Sequence, residues 1–140
     1  MMSRSIVVAS ALLVTGGLAT TQALASAHAT AAKAHPVRIT AAANDPSSFK
    51  DISAKLGGTL GKGTQGSCCL VLPKTTYTWR FKGGTIHATG VSKIKGSKVT
   101  GTWKVTKNKG TGTFKGITGG GTFTGELTTG KYVYKGTVRY

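Results

Sequence analysis

The chain has 140 residues and carries 19 Lys and Arg against three Asp and Glu, a formal net charge of +16. That length is about one domain's worth of chain, and that charge attracts polyanions over a range of roughly 10 Å at moderate salt. The two cysteines are adjacent, without matching His or Cys elsewhere, which makes a poor zinc site.

Residues 1–25 read as a secretory signal peptide, with Arg4 ahead of an apolar stretch over 6–19 and small residues ending Ala23-Leu24-Ala25. The apolar stretch is shorter than the ~20 residues that span a bilayer. Cleavage after Ala25 leaves Ser26 first, and cleavage after Ala27 fits nearly as well. Removal of residues 1–25 leaves 18 cations against three acids, so the expected product is secreted, extracellular and strongly basic. Residues 26–46 are rich in Ala and Thr with little periodic apolar content, which predicts a flexible leader. His28 and His35 lie in it without Cys or acidic neighbours and read as solvent-exposed bystanders, so no metal is expected.

Residues 47–140 make one small domain, and 19 of the 21 glycines fall from Gly57 onward beside frequent Thr. That mixture predicts many short strands and little helix. The triplet Gly-Thr-apolar recurs at irregular spacing, as in Gly58-Thr59-Leu60, Gly101-Thr102-Trp103 and Gly136-Thr137-Val138, which fits a meander rather than a solenoid. Strands are predicted over 49–60, 68–72, 75–82, 85–94, 98–107, 111–117, 121–127 and 131–140. Two Gly-Thr-Phe-x-Gly copies around Phe114 and Phe123 predict a hairpin that turns at Thr118-Gly119-Gly120.

Period-two sorting puts Tyr77, Trp79, Phe81, Ile86, Ala88, Val99, Trp103, Val105, Phe114, Phe123, Leu127, Tyr132, Tyr134 and Val138 on one face. Thr76, Thr78, Arg80, Lys82, His87, Lys104, Lys115, Thr122, Thr124, Glu126, Lys135 and Arg139 fall on the other. An aromatic interior under a basic, Thr-rich exterior predicts an all-β fold, a small antiparallel barrel of about eight strands. A two-sheet sandwich would alternate in the same way.

Gly110-Thr111-Gly112-Thr113-Phe114, followed by Gly116 and Gly119, resembles the Gly-Thr-Gly-x-Phe strand and glycine turn of dirigent proteins and the related allene oxide cyclase barrels. Trp79-Arg80-Phe81-Lys82-Gly83-Gly84-Thr85-Ile86 looks like the strand-turn-strand before it in secreted bacterial members of that group. The resemblance implies an eight-stranded antiparallel barrel with an apolar cavity, which in the plant members guides radical coupling or cyclises an epoxide. Those members place acidic or other polar groups inside. Here Glu126 alternates with Phe123 and Leu127 and points outward, and Asp51 opposes Ile52 and Leu56, so the barrel carries over and the catalysis does not. Gly101-Thr102-Trp103 also matches the Gly-x-Trp of lipocalins and avidins, but too little chain follows Trp103 for seven further strands.

Few groups carry chemistry. Cys68 and Cys69 are adjacent in an oxidising setting, which leaves three states open: a strained vicinal disulfide, a bridge to another thiol, or two thiols. His87 falls on the outer face without a nucleophile or carboxylate partner and reads as a surface histidine. No catalytic residue or cofactor is expected, and any activity would be isomerase-like or cyclase-like.

The leading expectation is a non-catalytic barrel that binds an anionic cell-wall polymer or anionic membrane surface through Arg80, Lys82, Lys104, Lys115, Lys135 and Arg139. The same lysines would equally serve solubility and block edge-to-edge pairing. The alternative is a carrier or isomerase for a small hydrophobic ligand in a cavity lined by Tyr77, Trp79, Trp103, Phe114, Phe123, Tyr132 and Tyr134, rings that would equally plug a small core. Sequence-specific nucleic-acid binding is not expected, because lysines and aromatics sort to opposite faces. The pattern leaves the oligomeric state open.

Overall fold

A computed structural model describes residues 31–48, 53–66 and 72–140. They form β1 (Ala34–Ala43), β2 (Ala54–Gly58), β3 (Gly63–Gly66), β4 (Lys74–Phe81), β5 (Gly84–Lys95), β6 (Lys98–Val105), β7 (Thr118–Glu126) and β8 (Lys131–Arg139). A 3-10 turn at Gly112–Phe114 is the one helical piece among the described residues. Each strand pairs antiparallel with its neighbour in sequence, and β1 pairs with β8, so the sheet closes into an all-β meander barrel rather than a sandwich.

Closure depends on β1, which lies inside the stretch expected to be a flexible leader. It pairs with β8 from Ala34↔Arg139 to Ala42↔Lys131 and with β2 from Ile39↔Gly58 to Ala43↔Ala54. Val37, Ile39 and Ala41 point inward and are buried, while Arg38 between them is exposed. The leader is therefore corrected from Ala34 onward, and the barrel begins before Ser47. Alternation over Pro36-Val37-Arg38-Ile39 supplies the strand signal, and the following alanines dilute it. His35 belongs to this strand, with its ring stacked 4.8 Å from Tyr140.

A second correction concerns the Gly-Thr-Phe hairpin. Residues 111–117 form no strand, and Thr118-Gly119-Gly120 is the start of β7 rather than a turn. The segment instead folds across one end of the barrel. Thr113 N donates to Gly83 O at 2.9 Å, Thr111 N to Thr85 O at 3.0 Å, and Thr85 N to Thr111 Oγ1 at 3.0 Å. These bonds press Phe114 and Ile117 inward, where both are buried. Phe114 packs edge-on against Phe81 and Tyr140, with centroids at 6.0 and 5.3 Å, and so plugs the barrel end at which β1 begins and β8 finishes.

β3, Gly-Thr-Gln-Gly, contains no apolar residue, and its buried side chain is Gln65. Within the predicted 49–60 strand, the described part is realised as Ala54–Gly58. Of the predicted 68–72 strand only Leu72 is described, and it lies in a turn before β4. The signal peptide, Cys68 and Cys69 lie outside the described residues.

The interior is filled by rings. Trp79 is fully buried at its centre, stacked with Tyr77 at 5.7 Å and edge-on to Trp103 and Tyr134 at 5.4 and 5.1 Å. Glycines on neighbouring strands leave room for these rings, as the taper of a small barrel requires. A methyl on Gly90 would stand 2.7 Å from the Tyr77 ring, and one on Gly101 would stand 2.6 Å from Phe123. The indole of Trp103 reaches the β7–β8 seam and donates to Thr122 O at 3.2 Å and Lys135 O at 3.3 Å, beside the facing pair Gly121 and Gly136.

Candidate functional site

The meander gives the barrel two unlike ends. The closed end holds the β2–β3 and β4–β5 turns, the β6–β7 connection with its Phe114 plug, and the chain end at Tyr140. The other end receives the β1–β2 and β3–β4 connections and the β5–β6 and β7–β8 turns.

Just inside this second end lies a cavity of about 50 Å³, lined among others by Gln65, Tyr77, Ser92, Phe123, Tyr132 and Tyr134. A space that size admits a few waters at most, since one water needs at least roughly 10–15 Å³. Burial pushes the phenol of Tyr134 well above its usual range, reinforced by Tyr77, and raises Tyr77 and Tyr132 as well. The three hydroxyls therefore stay protonated near neutrality and act as hydrogen-bond groups. Thr75 is buried, and its Oγ1, although near enough to Tyr77 to favour the ionised phenol, makes no hydrogen bond of good geometry. Trp79 Nε1 donates to Gln65 Oε1 at 2.9 Å.

The seven aromatic residues expected around one cavity are thus divided along the barrel axis. Tyr77, Phe123, Tyr132 and Tyr134 line the small space, Trp79 and Trp103 fill the middle, and Phe114 seals the opposite end. Leu127 and Tyr132 are partly rather than fully buried. Gln65, Thr75 and Ser92 also belong to this interior; the pattern of apolar residues passes over them, and only the parity of β4 and β5 points to Thr75 and Ser92.

Every described Lys and Arg is exposed. Arg80 and Lys104 stand near the closed-end termini of β4 and β6, Lys82 lies in the β4–β5 turn, Lys115 follows the Phe114 plug, and Arg139 ends β8. Lys135 stands apart on the wall directly opposite Arg38. Lys62, Lys107 and Lys109 join the closed end and were outside the six residues expected from strand parity.

Both described acids lie at the other end. Glu126 faces Lys98 and Lys131 across the sheet and accepts from Thr128 Oγ1 at 3.2 Å. Asp45 accepts from the Ser47 hydroxyl at 2.6 Å and the Ser47 amide at 2.9 Å, bonds that hold its pKa below the usual value. His87 is half-buried on the wall, its Nδ1 3.3 Å from Thr78 Oγ1. Among the described residues, no three His, Cys, Asp or Glu side chains converge. Comparison with protein-family models, curated proteins and solved structures finds no match for this chain.

Proposed function

We propose that the protein is a secreted, non-catalytic basic β-barrel that associates with anionic polymers of the cell envelope or extracellular space through its exposed Lys and Arg. The observation that carries this reading is the separation of contents: rings fill the interior to a residual 50 Å³, while every described cation stands on the outside. Such an exterior attracts polyanions and gives binding that weakens as salt rises. The proposed kinship with dirigent and allene oxide cyclase barrels concerns the wall and carries no catalytic assignment. Retention of the full chain on isolated cell wall and anionic vesicles, with neutral vesicles as control, tests the function across a salt series. Salt-sensitive retention on an anionic support is expected, and no retention even at low salt refutes the reading.

A second reading, a carrier or isomerase-like barrel for a small hydrophobic ligand, draws on the unpartnered Thr75 hydroxyl beside Tyr77. It requires the rings to part, because the space present does not hold a ligand of that kind. Tryptophan fluorescence unchanged by a panel of hydrophobic ligands would exclude it.

A further inference from the structure

We infer that the closed end of the barrel is the docking surface, and that its occupant is a linear phosphate polymer bound end-on by a collar of lysines. This inference rests on the polyanion reading above and assigns it a place and a partner chemistry. Lys62, Lys82, Lys107, Lys109, Lys115 and Arg139 all belong to the turns and strand termini of this end, and both described acids lie at the other. The net field of the described side chains therefore has an axis, strongest at the end without an acidic side chain.

The collar is also held in place. Thr113 Oγ1 and the Thr113 amide both donate to Gly83 O, at 3.0 and 2.9 Å, joining the connection that carries Lys107, Lys109 and Lys115 to the turn that carries Lys82. The buried Phe114 and Ile117 anchor that connection from beneath. Binding then orders little backbone, which removes one of the main costs of association.

The chemistry of the collar suits that occupant. Five of its six cations are lysines, whose compact ammonium meets single phosphate oxygens as a point charge. A bilayer is the poorer fit. Among the described residues, the exposed large hydrophobics Leu72, Val91 and Ile94 lie away from the closed end, which presents only Tyr140, stacked on His35. A surface meant to enter lipid carries an apolar tip among its cations.

The test uses the full chain with long-chain inorganic polyphosphate, polyglutamate and phosphatidylglycerol vesicles. Two triple variants carry equal charge changes: Lys82→Glu, Lys109→Glu, Lys115→Glu at the closed end and Lys74→Glu, Lys93→Glu, Lys95→Glu at the other. Lys→Gln at the closed-end positions serves as the milder version should charge reversal disturb folding. The unmodified chain is expected to prefer polyphosphate. The closed-end variant should lose at least about 30-fold in affinity and flatten the log–log salt dependence by about 2, three contacts at roughly 0.7 each, while the other variant changes less than about threefold.

Equal losses in both variants would overturn the end-on site while leaving the polyanion reading intact. Preference for vesicles or polyglutamate would overturn the phosphate-polymer assignment. Absence of binding to all three probes overturns this inference, and the cell-wall retention assay then decides the broader reading separately.

Discussion

Gly121 offers the sharpest test of how the barrel is built. It faces Gly136 across the β7–β8 pair, and a methyl there would stand 2.6 Å from Gly136 Cα and closer still to the Lys135 carbonyl oxygen. Both obstacles are backbone, so no side chain can rotate away and the two strands must separate. Overpacking of this kind costs typically about 1–3 kcal/mol. Separation also pulls apart Thr122 O and Lys135 O, the two acceptors of the buried Trp103 indole, and an orphaned buried donor costs roughly 1–3 kcal/mol more. Gly121→Ala is therefore expected to lose about 2–6 kcal/mol, which at roughly 4 °C per kcal/mol for a domain this size lowers Tm by about 8–24 °C.

Gly96→Ala is the control. Gly96 has φ of 62° in a turn with nothing within 4 Å of an added methyl. Only the left-handed conformation is penalised there, about 1–2 kcal/mol, or roughly 4–8 °C. Thermal melts followed by circular dichroism and tryptophan emission distinguish the two, and Gly121→Ala should also shift the emission of the native protein as Trp103 loses its seat. A Gly121→Ala protein that melts within a few degrees of Gly96→Ala, with unchanged emission, would refute the close-packed seam.

Two further outcomes concern the polar groups of the interior. Thr75→Val keeps the β-branched shape and removes a buried hydroxyl that lacks a partner, so stability in urea should rise by about 1 kcal/mol, and a loss of that size would show that the hydroxyl is bonded. Burial raises the phenols of Tyr77 and Tyr134 above the ordinary 10.0. Below that value folded and unfolded chains both keep these protons and the contribution is fully present; above it the unfolded chain releases protons that the folded one retains, so stability falls as pH rises through the raised folded values. Absorbance at 295 nm and circular dichroism should then show these two tyrosinates appearing together with alkaline unfolding, and their early appearance in a still-folded protein would contradict the burial.

The parity of β4 to β8 was readable because the large rings and most branched residues fall on inward positions, while the outward ones are mostly Thr or cations. Tyr77, Trp79 and Phe81 against Thr76, Thr78 and Arg80 leave little ambiguity, and the structure keeps that sorting. Elsewhere the signal fails for a physical reason. Inward-facing Ala41 is buried but too small to stand out in an Ala-rich stretch, and β3 shows the interior only Gln65. The two Gly-Thr-Phe copies are alike as sequence, yet Gly112 and Gly116 take φ of 60° and 77° and break the chain at Phe114, whereas Phe123 continues a strand. What separates them is the tertiary pull of Phe81 and Gly83 on the first copy, which no local pattern contains.

Closure of the sheet bears on why the protein is so basic. Lysines on a β surface often protect an exposed edge from pairing with another chain, but β1 and β8 pair along nine residues and leave the described barrel no such edge to protect. Solubility of a small domain asks for a net charge of only about 2–8, against +16 here. Part of the excess is carried in positions that oppose folding: Arg38 faces Lys135 and Lys95 faces Lys98 across the ladder, and like charges directly opposite are destabilising. Charge that exceeds what solubility needs, has no edge to guard, and persists where it costs stability is what the proposed polyanionic partner outside the barrel would account for.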